Sequence, residues 1–289
     1  MNSSVSLFGM QINPLRMHDV IEQLLDWVKH PDGTCRYVVT PNVDHAVMFQ
    51  KHEGLQRAYA DAALVLTDGF PVFVAARMLR RQIPERVPGS DLVPTLFATA
   101  NPAGATGSAS ASESKLSVVG GTGRASGTQA EAAKIESLRV FLLGAAPGVA
   151  DQAARNITQR WPVVKIVGTY SPPLGFEKDP AENAAIIERV NAAKPDLLVL
   201  GLGAPKQELW IQSHRHELKV PVALCVGATI DFLAGQKARA PVWMRRVGLE
   251  WLHRLASEPR RLAKRYLRDA WVFPHLVWRE ARMGPNTHR

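Results

Sequence analysis

The residues best suited to chemistry fall where apolar runs end. In LVLTDGFPV, Asp68 follows such a run and precedes Gly69. A carboxylate there can take a proton from an attacking hydroxyl, while the same Asp-Gly pair also reads as a plain turn. In VVTPNVDHAVMF, Thr40 and Asn42 are small polar groups suited to hydrogen-bonding a substrate. Asn42 or Asp44 equally suits the cap of a helix beginning near His45. In RQIPERVPGSDLVP, Arg86 can neutralise a phosphate, and Ser90 reads as a helix cap. Arg77, Arg80 and Arg81 on the preceding helix read as solvated.

Two glycine turns could serve an anion. VFLLGAAPG contains Gly144, and LVLGLGAPKQE contains Gly203, Lys206 and Gln207. Backbone N–H groups at the following helix start favour a diphosphate. Lys206 adds positive charge, and Gln207 can bond a sugar or base. Neither turn fits a P-loop or a dinucleotide fingerprint, so either also reads as pure packing. Metal chemistry finds little support, because the sequence holds no H-E-x-x-H pattern and no D-x-D pair. Asp231, on an apolar face after Gly227, suits a structural or substrate-orienting role as well as ligation. A site without metal or cofactor is expected.

The elements that must position these residues alternate. Strand patterns fall at Arg36–Thr40, Ala63–Thr67, Arg139–Leu143, Val163–Gly168, Asp196–Leu200 and Val220–Val226. Helical patterns fall between them, at Met17–Val28, Val149–Arg160, Pro180–Ala193 and Pro205–Glu217 among others. Continuous apolar strands separated by helices predict an α/β fold, a Rossmann-like parallel sheet with helices on both faces. Ligands in such sheets bind at the carboxyl ends of strands, where most of the residues above lie. The catalytic domain is expected over 1–240, interrupted by an Ala/Gly/Ser/Thr-rich insertion at about 101–137 that reads as flexible and adds no core element. Its VVGGTGRASG run has Ser126 where a third glycine belongs and is not read as a nucleotide loop.

After Ala240 the alternation stops. Residues 241–289 read as a helical appendage: Pro241 opens one helix running to about Ala256, and Ser257 caps a second with Pro259 in its first turn. On that second helix Arg261, Arg265 and Arg268 share a face, with Lys264 beside them.

Charge divides the chain in the same place. The net charge is +9, and thirteen Lys/Arg against four Asp/Glu from Lys237 to Arg289 supply all of it. Basic residues interleaved with Trp243, Trp251, Trp271, Phe273 and Trp278 point to an anionic membrane surface more than to nucleic acid. The bland alternative is a solvated helical face. No run of about 18 apolar residues predicts a spanning helix, and the first residues lack the pattern of a secretory signal. Cys35 and Cys225, each beside an apolar run, read as buried reduced thiols of a cytosolic protein. The apolar residues of the appendage could also serve a homo-oligomer contact.

The motifs TPNVDH, TDGFPV, RVPGSDL, FLLGAAPG, GLGAPKQE, VGATIDFLAG and RAPVWMRRVGLEWLHRLASEPRRLAKRY occur in this order. As a set they resemble the WecG/TagA/CpsF family of bacterial glycosyltransferases, over nearly the whole chain apart from the insertion and the last twenty residues. The resemblance implies inverting, metal-independent transfer of a sugar from a UDP-sugar to a polyprenyl-diphosphate-linked saccharide. N-acetylmannosamine, its uronic acid and glucose lie within the family's reach, and the products enter cell-surface polysaccharides. It implies a peripheral enzyme on the cytoplasmic face of the plasma membrane.

By the same resemblance Asp68 is the general base, and Thr40 and Asn42 position the reacting sugars. Arg86 and Gln207 fall on family active-site positions. Arg254, Arg261, Lys264 and Arg265 fall in an appendage that closes over the site, contacts phosphates and touches membrane. The chain departs from the family at the insertion and at Gly144-Ala145, where Gly-Gly is more usual. A non-catalytic nucleotide- or nucleic-acid-binding module is the alternative, in which the glycine turns hold a nucleotide and the tail holds phosphates.

Overall fold

The structure, a computed structural model, describes residues 4–100 and 136–283. The expected insertion therefore lies outside the described residues, save its last two.

Among the described residues, eight strands and twelve α-helices follow in chain order. The strands are β1 (Val5–Leu7), β2 (Met10–Ile12), β3 (Arg36–Val39), β4 (Leu64–Val65), β5 (Leu138–Gly144), β6 (Val164–Tyr170), β7 (Leu197–Gly201) and β8 (Val222–Cys225). Helices of the first half are α1 (Met17–Lys29), α2 (Val43–Phe49), α3 (Glu53–Ala60), α4 (Phe70–Met78) and α5 (Gly89–Ala100). Those of the second are α6 (Val149–Arg160), α7 (Pro180–Ala193), α8 (Lys206–His214), α9 (Thr229–Leu233), α10 (Val242–Arg246), α11 (Glu250–Ser257) and α12 (Pro259–Met283).

β1 and β2 form a small antiparallel ribbon, and the other strands form one parallel sheet in the order β4-β3-β8-β7-β5-β6. Its central strands, β7 and β8, are apolar throughout because both faces are covered. Successive residues of β7 enter opposite cores, Leu198 and Leu200 on one side and Leu197 and Val199 on the other. β8 divides likewise, with Ala223 and Cys225 against Val222 and Leu224. The period-2 alternation of a strand thus feeds two apolar layers, as the unbroken apolar runs required. Cys35 and Cys225 are buried free thiols.

The strand order places the carboxyl ends of β3, β4, β7 and β8 side by side at the centre and one edge of the sheet. The loops leaving β3 and β4 are tied together there, as Asp68 N–H donates to Pro41 O at 3.0 Å. β4 is shorter than its apolar pattern, because pairing with β3 stops at Val65 before the chain turns toward Asp68.

The appendage differs from expectation in two ways. The single helix expected from Pro241 to about Ala256 is broken at Gly248, which takes φ +78° between α10 and α11. A Cβ at Gly248 would lie 2.0 Å from the Phe70 ring, so the break lets the chain pass over α4. Ser257 does not cap α12: it ends α11, and its hydroxyl donates to His253 O at 2.9 Å. Pro259 begins α12, in agreement with its fixed φ.

α12 then runs back across the core. Leu276 is buried in the same apolar layer as Phe8, and Phe8 meets Phe273 edge to face at 5.3 Å. Arg81, expected to be solvated, is only 11% exposed and reaches Glu280, 5% exposed, at 3.5 Å.

Candidate active site

A cavity of about 620 Å³ opens where the carboxyl ends of β3, β4, β7 and β8 meet the appendage. The sheet side contributes Thr40, Asn42, Asp68, Gly203 and Gln207, with Arg86 from the loop before α5 and Asp231 from α9. The appendage contributes Glu250, Trp251, Arg254, Arg265 and Tyr266. Nine expected site residues from six separate stretches therefore share one cavity: Thr40, Asn42, Asp68, Arg86, Gly203, Gln207, Asp231, Arg254 and Arg265.

Four others stand apart from that wall. Gly144 makes a close backbone approach between β5 and β7; a Cβ on it would lie 2.5 Å from the Gly201 carbonyl carbon. Its turn therefore packs the sheet, and only the Gly203 turn lines the cavity. Lys206 pairs with Glu177 at 3.0 Å beside the site. Lys264 is exposed on α12. Arg261 lies on α12, and its side chain is outside the described part of the structure.

Local structure explains how the sheet-side groups are held. Asn42 is the N-cap of α2, its Oδ1 accepting from His45 N–H at 3.3 Å. Thr40 is buried at the end of β3 and donates to Cys225 O at 3.1 Å. Gly69 caps α4, and a Cβ there would sit 3.1 Å from Asn42 Cα, so glycine lets the Asp68 loop close on Asn42. Ser90 is not a cap; it lies in the first turn of α5 and its Oγ accepts from Arg239 at 3.0 Å. Gln207 is 2% exposed, and both ends of its amide are engaged, Nε2 by Glu208 at 2.8 Å and Oε1 by Gly227 N–H at 3.2 Å.

The electrostatics single out Asp68. Burial, reinforced by the nearby charge of Glu250, pushes its carboxyl up to about 6, against the pull of Arg86, Arg254 and His45. A carboxylate with that value is ionised at neutral pH and is a stronger base than an ordinary aspartate. Arg254 stacks over Phe232 at 5.5 Å and Trp251 meets Tyr266 edge to face at 6.2 Å. The cavity thus has a carboxylate on its floor, guanidinium groups around it and an aromatic wall on the appendage side. Such an arrangement can deprotonate a hydroxyl while neutralising a departing phosphate.

Comparison with known proteins identifies the family. The model of the glycosyl transferase WecG/TagA/CpsF family matches residues 5–114 and 126–287. This chain belongs to that family. As a WecG/TagA/CpsF member it is a glycosyltransferase. The match reaches past the motifs at the end of the chain, and its one internal gap, residues 115–125, lies within the insertion-like stretch. Two similar proteins come from Staphylococcus aureus strains MW2 and NCTC 8325 / PS 47. Each is an N-acetylglucosaminyldiphosphoundecaprenol N-acetyl-beta-D-mannosaminyltransferase, 22% identical over 262 residues, which are 91% of this chain and 88% of the relative.

Sequence reading missed a second layer of the site. His45 and Glu208 are buried, and His45 Nε2 lies 3.2 Å from Glu208 Oε1. The two are 163 residues apart, and no spacing rule connects them. Glu250 was missed as well; an acid within the basic appendage, in GLEW, was the available signal.

Proposed function

We propose that this glycosyltransferase moves a sugar from a UDP-sugar to a saccharide linked to polyprenyl diphosphate, with inversion and with Asp68 as general base. The acceptor hydroxyl attacks the anomeric carbon. As the new C–O bond forms, the bond from that carbon to the UDP oxygen breaks, and the hydroxyl proton passes to Asp68. Negative charge grows on the leaving diphosphate, where Arg86, Arg254 and Arg265 can stabilise it. Thr40 and Asn42 hold the sugars in line. The observation that carries this reading is the base-strength carboxylate of Asp68 on the floor of a cavity ringed by arginines.

N-acetylmannosamine is the sugar we favour among the family's donors, because the Staphylococcus aureus relatives are N-acetylmannosaminyltransferases. An N-acetylglucosaminyl diphosphate acceptor follows from the same names. The appendage brings the cavity to a membrane surface where such an acceptor resides. Leu267, Trp271 and Trp278 are 73%, 86% and 50% exposed on α12, and Lys264 stands beside them. Exposed tryptophan with lysine and arginine is the composition that binds an anionic interface. Among the described residues no helix is long and apolar enough to cross a membrane.

A panel of UDP-sugars offered with N-acetylglucosaminyl-diphosphate-polyprenol tests the reading by product mass. The expected product gains one N-acetylhexosamine with the mannosamine donor. No mass gain with any donor would overturn it.

A further inference from the structure

A buried pair, His45 and Glu208, lies at the cavity, which His45 lines together with Asn42. His45 lies on α2, three residues after Asn42, with its ring beneath the Asn42 side chain. Its Nδ1 stands 3.0 Å from Asn42 Oδ1, and its Nε2 stands 3.2 Å from Glu208 Oε1 on α8. Asn42 Oδ1 is fixed as an oxygen, since it also accepts from the His45 backbone N–H. A bare Nδ1 lone pair facing that oxygen would be repulsive, so the contact requires a hydrogen on Nδ1. A longer approach of 3.4 Å from Asn42 N–H to Nδ1 would require the opposite, and the shorter contact prevails. At the other end, Glu208 Oε1 also accepts from Gln207 Nε2 at 2.8 Å, so Nε2–H is the donor between ring and carboxylate.

We propose that His45 carries a proton on both ring nitrogens, bridges Asn42 and Glu208, and thereby fixes Asn42 with its oxygen inward and its amide N–H groups aimed into the cavity. His45 and Glu208 are then positioning residues, acting through Asn42 and Gln207. The proposal rests on the glycosyltransferase reading above for what Asn42 meets in the cavity.

The surroundings suit a charged ring. Burial alone would lower its basicity, but the hydrogen bond and charge of Glu208, with Asp44 and Asp68, raise it above the ordinary value. Tyr59 on α3 faces the ring at 6.4 Å between centroids and stays un-ionised, because burial and the charges of Glu208 and Asp68 push it well up. Asp44, on the ring's own helix, is itself shared with Arg265 and Arg268 of α12. Glu208 is fully buried and its Oε2 has no hydrogen-bond partner among the described residues. An ionised carboxylate so placed needs the opposite charge beside it.

With a neutral ring protonated only at Nε2, the Asn42 amide would turn over to give its NH2 group to Nδ1. The cavity would then meet an acceptor where it now meets a donor, and the α2 cap would be lost. The charge of the pair thus selects which groups of a sugar or phosphate Asn42 can bind.

Nitrogen-15 spectra of the full chain with labelled histidine test this without turnover. The resonance removed by His45→Gln should report two protonated nitrogens at pH 7 to 8 in the parent protein. Glu208→Gln should convert it to a neutral ring. A neutral His45 in the parent protein at pH 7 overturns the proposal, whatever the enzyme transfers. Kinetics add a second arm: Glu208→Gln should lower kcat about 10- to 100-fold, the scale of a misplaced contact, with KM for the donor within about twofold. A drop in Tm with undiminished kcat would instead mark the pair as purely structural and overturn the positioning role. Asn42→Asp separates capping from donation, because Asp caps as well as Asn but offers no amide hydrogen. Loss of turnover at unchanged Tm is expected, and full activity overturns the donor assignment. Failure of every protein to transfer sugar would refute the functional reading while the spectra still decide the proton positions.

Discussion

Asp44 and Arg268, 224 residues apart in the chain, form an ion pair across the joint between the sheet domain and the appendage. Arg265 reaches the other oxygen of the same carboxylate at 3.4 Å. Asp44 lies two residues beyond Asn42, so the contact that docks α12 is built into the wall of the cavity. A second anchor lies near the end of the helix, where Glu280 meets Arg81. Between them the appendage is held so that Glu250, Trp251 and Arg254 complete the cavity.

The two anchors should differ in strength. Arg265 and Arg268 are 34% and 46% exposed, and water screens their pairing. Asp44→Ala should cost about 1 kcal/mol, the upper range for exposed pairs. Glu280→Ala removes the acid of a pair that is almost fully buried and little screened by water, and should cost more, about 2 kcal/mol. Urea denaturation measures the difference, and hydrogen exchange should show α12 loosened in both. Equal costs would mean that burial does not set the strength of these pairs.

Asp68→Asn should abolish transfer, by about 10²-fold or more, since general-base catalysis is worth that much. UDP binding should persist, because the asparagine keeps the volume and the arginines remain. Folding stability should not fall. A carboxyl whose folded value is raised to about 6 from 3.8 is penalised once ionised; stability falls as pH rises from the unfolded value to the folded one and stays lowered above it. Asparagine removes that penalty, so Tm at pH 8 should equal or exceed that of the parent. Near-normal turnover would rule out Asp68 as the base.

The pH profile should carry the same signature. kcat/KM requires ionised Asp68 and should fall below about pH 6, the value to which burial and Glu250 push it. Glu250→Gln removes a like charge and should move that limb to lower pH. Arg254→Gln removes an opposite charge and should move it to higher pH. Limbs that stay in place in both variants would show that another group controls the rate.

The sheet and most of the residues that line the candidate site were legible in the sequence for a definite reason. Doubly covered strands must be apolar at every position, and residues such as Asp68 and Asn42 lie where those runs end. The break at Gly248 was not legible, because it depends on Phe70, a residue far away in sequence that the chain must pass. The His45–Glu208 pair was hidden for the same reason: two ordinary polar residues acquire meaning only when the fold buries them together. Lys206 shows the converse, a motif lysine whose charge is taken by Glu177. The family motifs marked which loops matter, and packing decided which side chains of those loops reach the cavity.

Membrane contact and chemistry should be separable within the appendage. Leu267, Trp271 and Trp278 fall on one stripe of α12, at spacings of four and seven residues, and all three are exposed. Leu267→Ser with Trp271→Ser should change stability by no more than about 0.5 kcal/mol each, as surface substitutions do. Binding to anionic vesicles should be lost, and transfer to an acceptor embedded in them should fall with it. Transfer to a short-chain, water-soluble acceptor should stay normal, because neither residue lines the cavity. Deletion after Ala240 should behave differently and abolish both reactions, since it removes Arg254, Glu250 and Trp251 from the cavity wall. Co-sedimentation with vesicles and the two transfer assays distinguish these outcomes. Undiminished vesicle binding by the double variant would move the membrane contact away from this stripe.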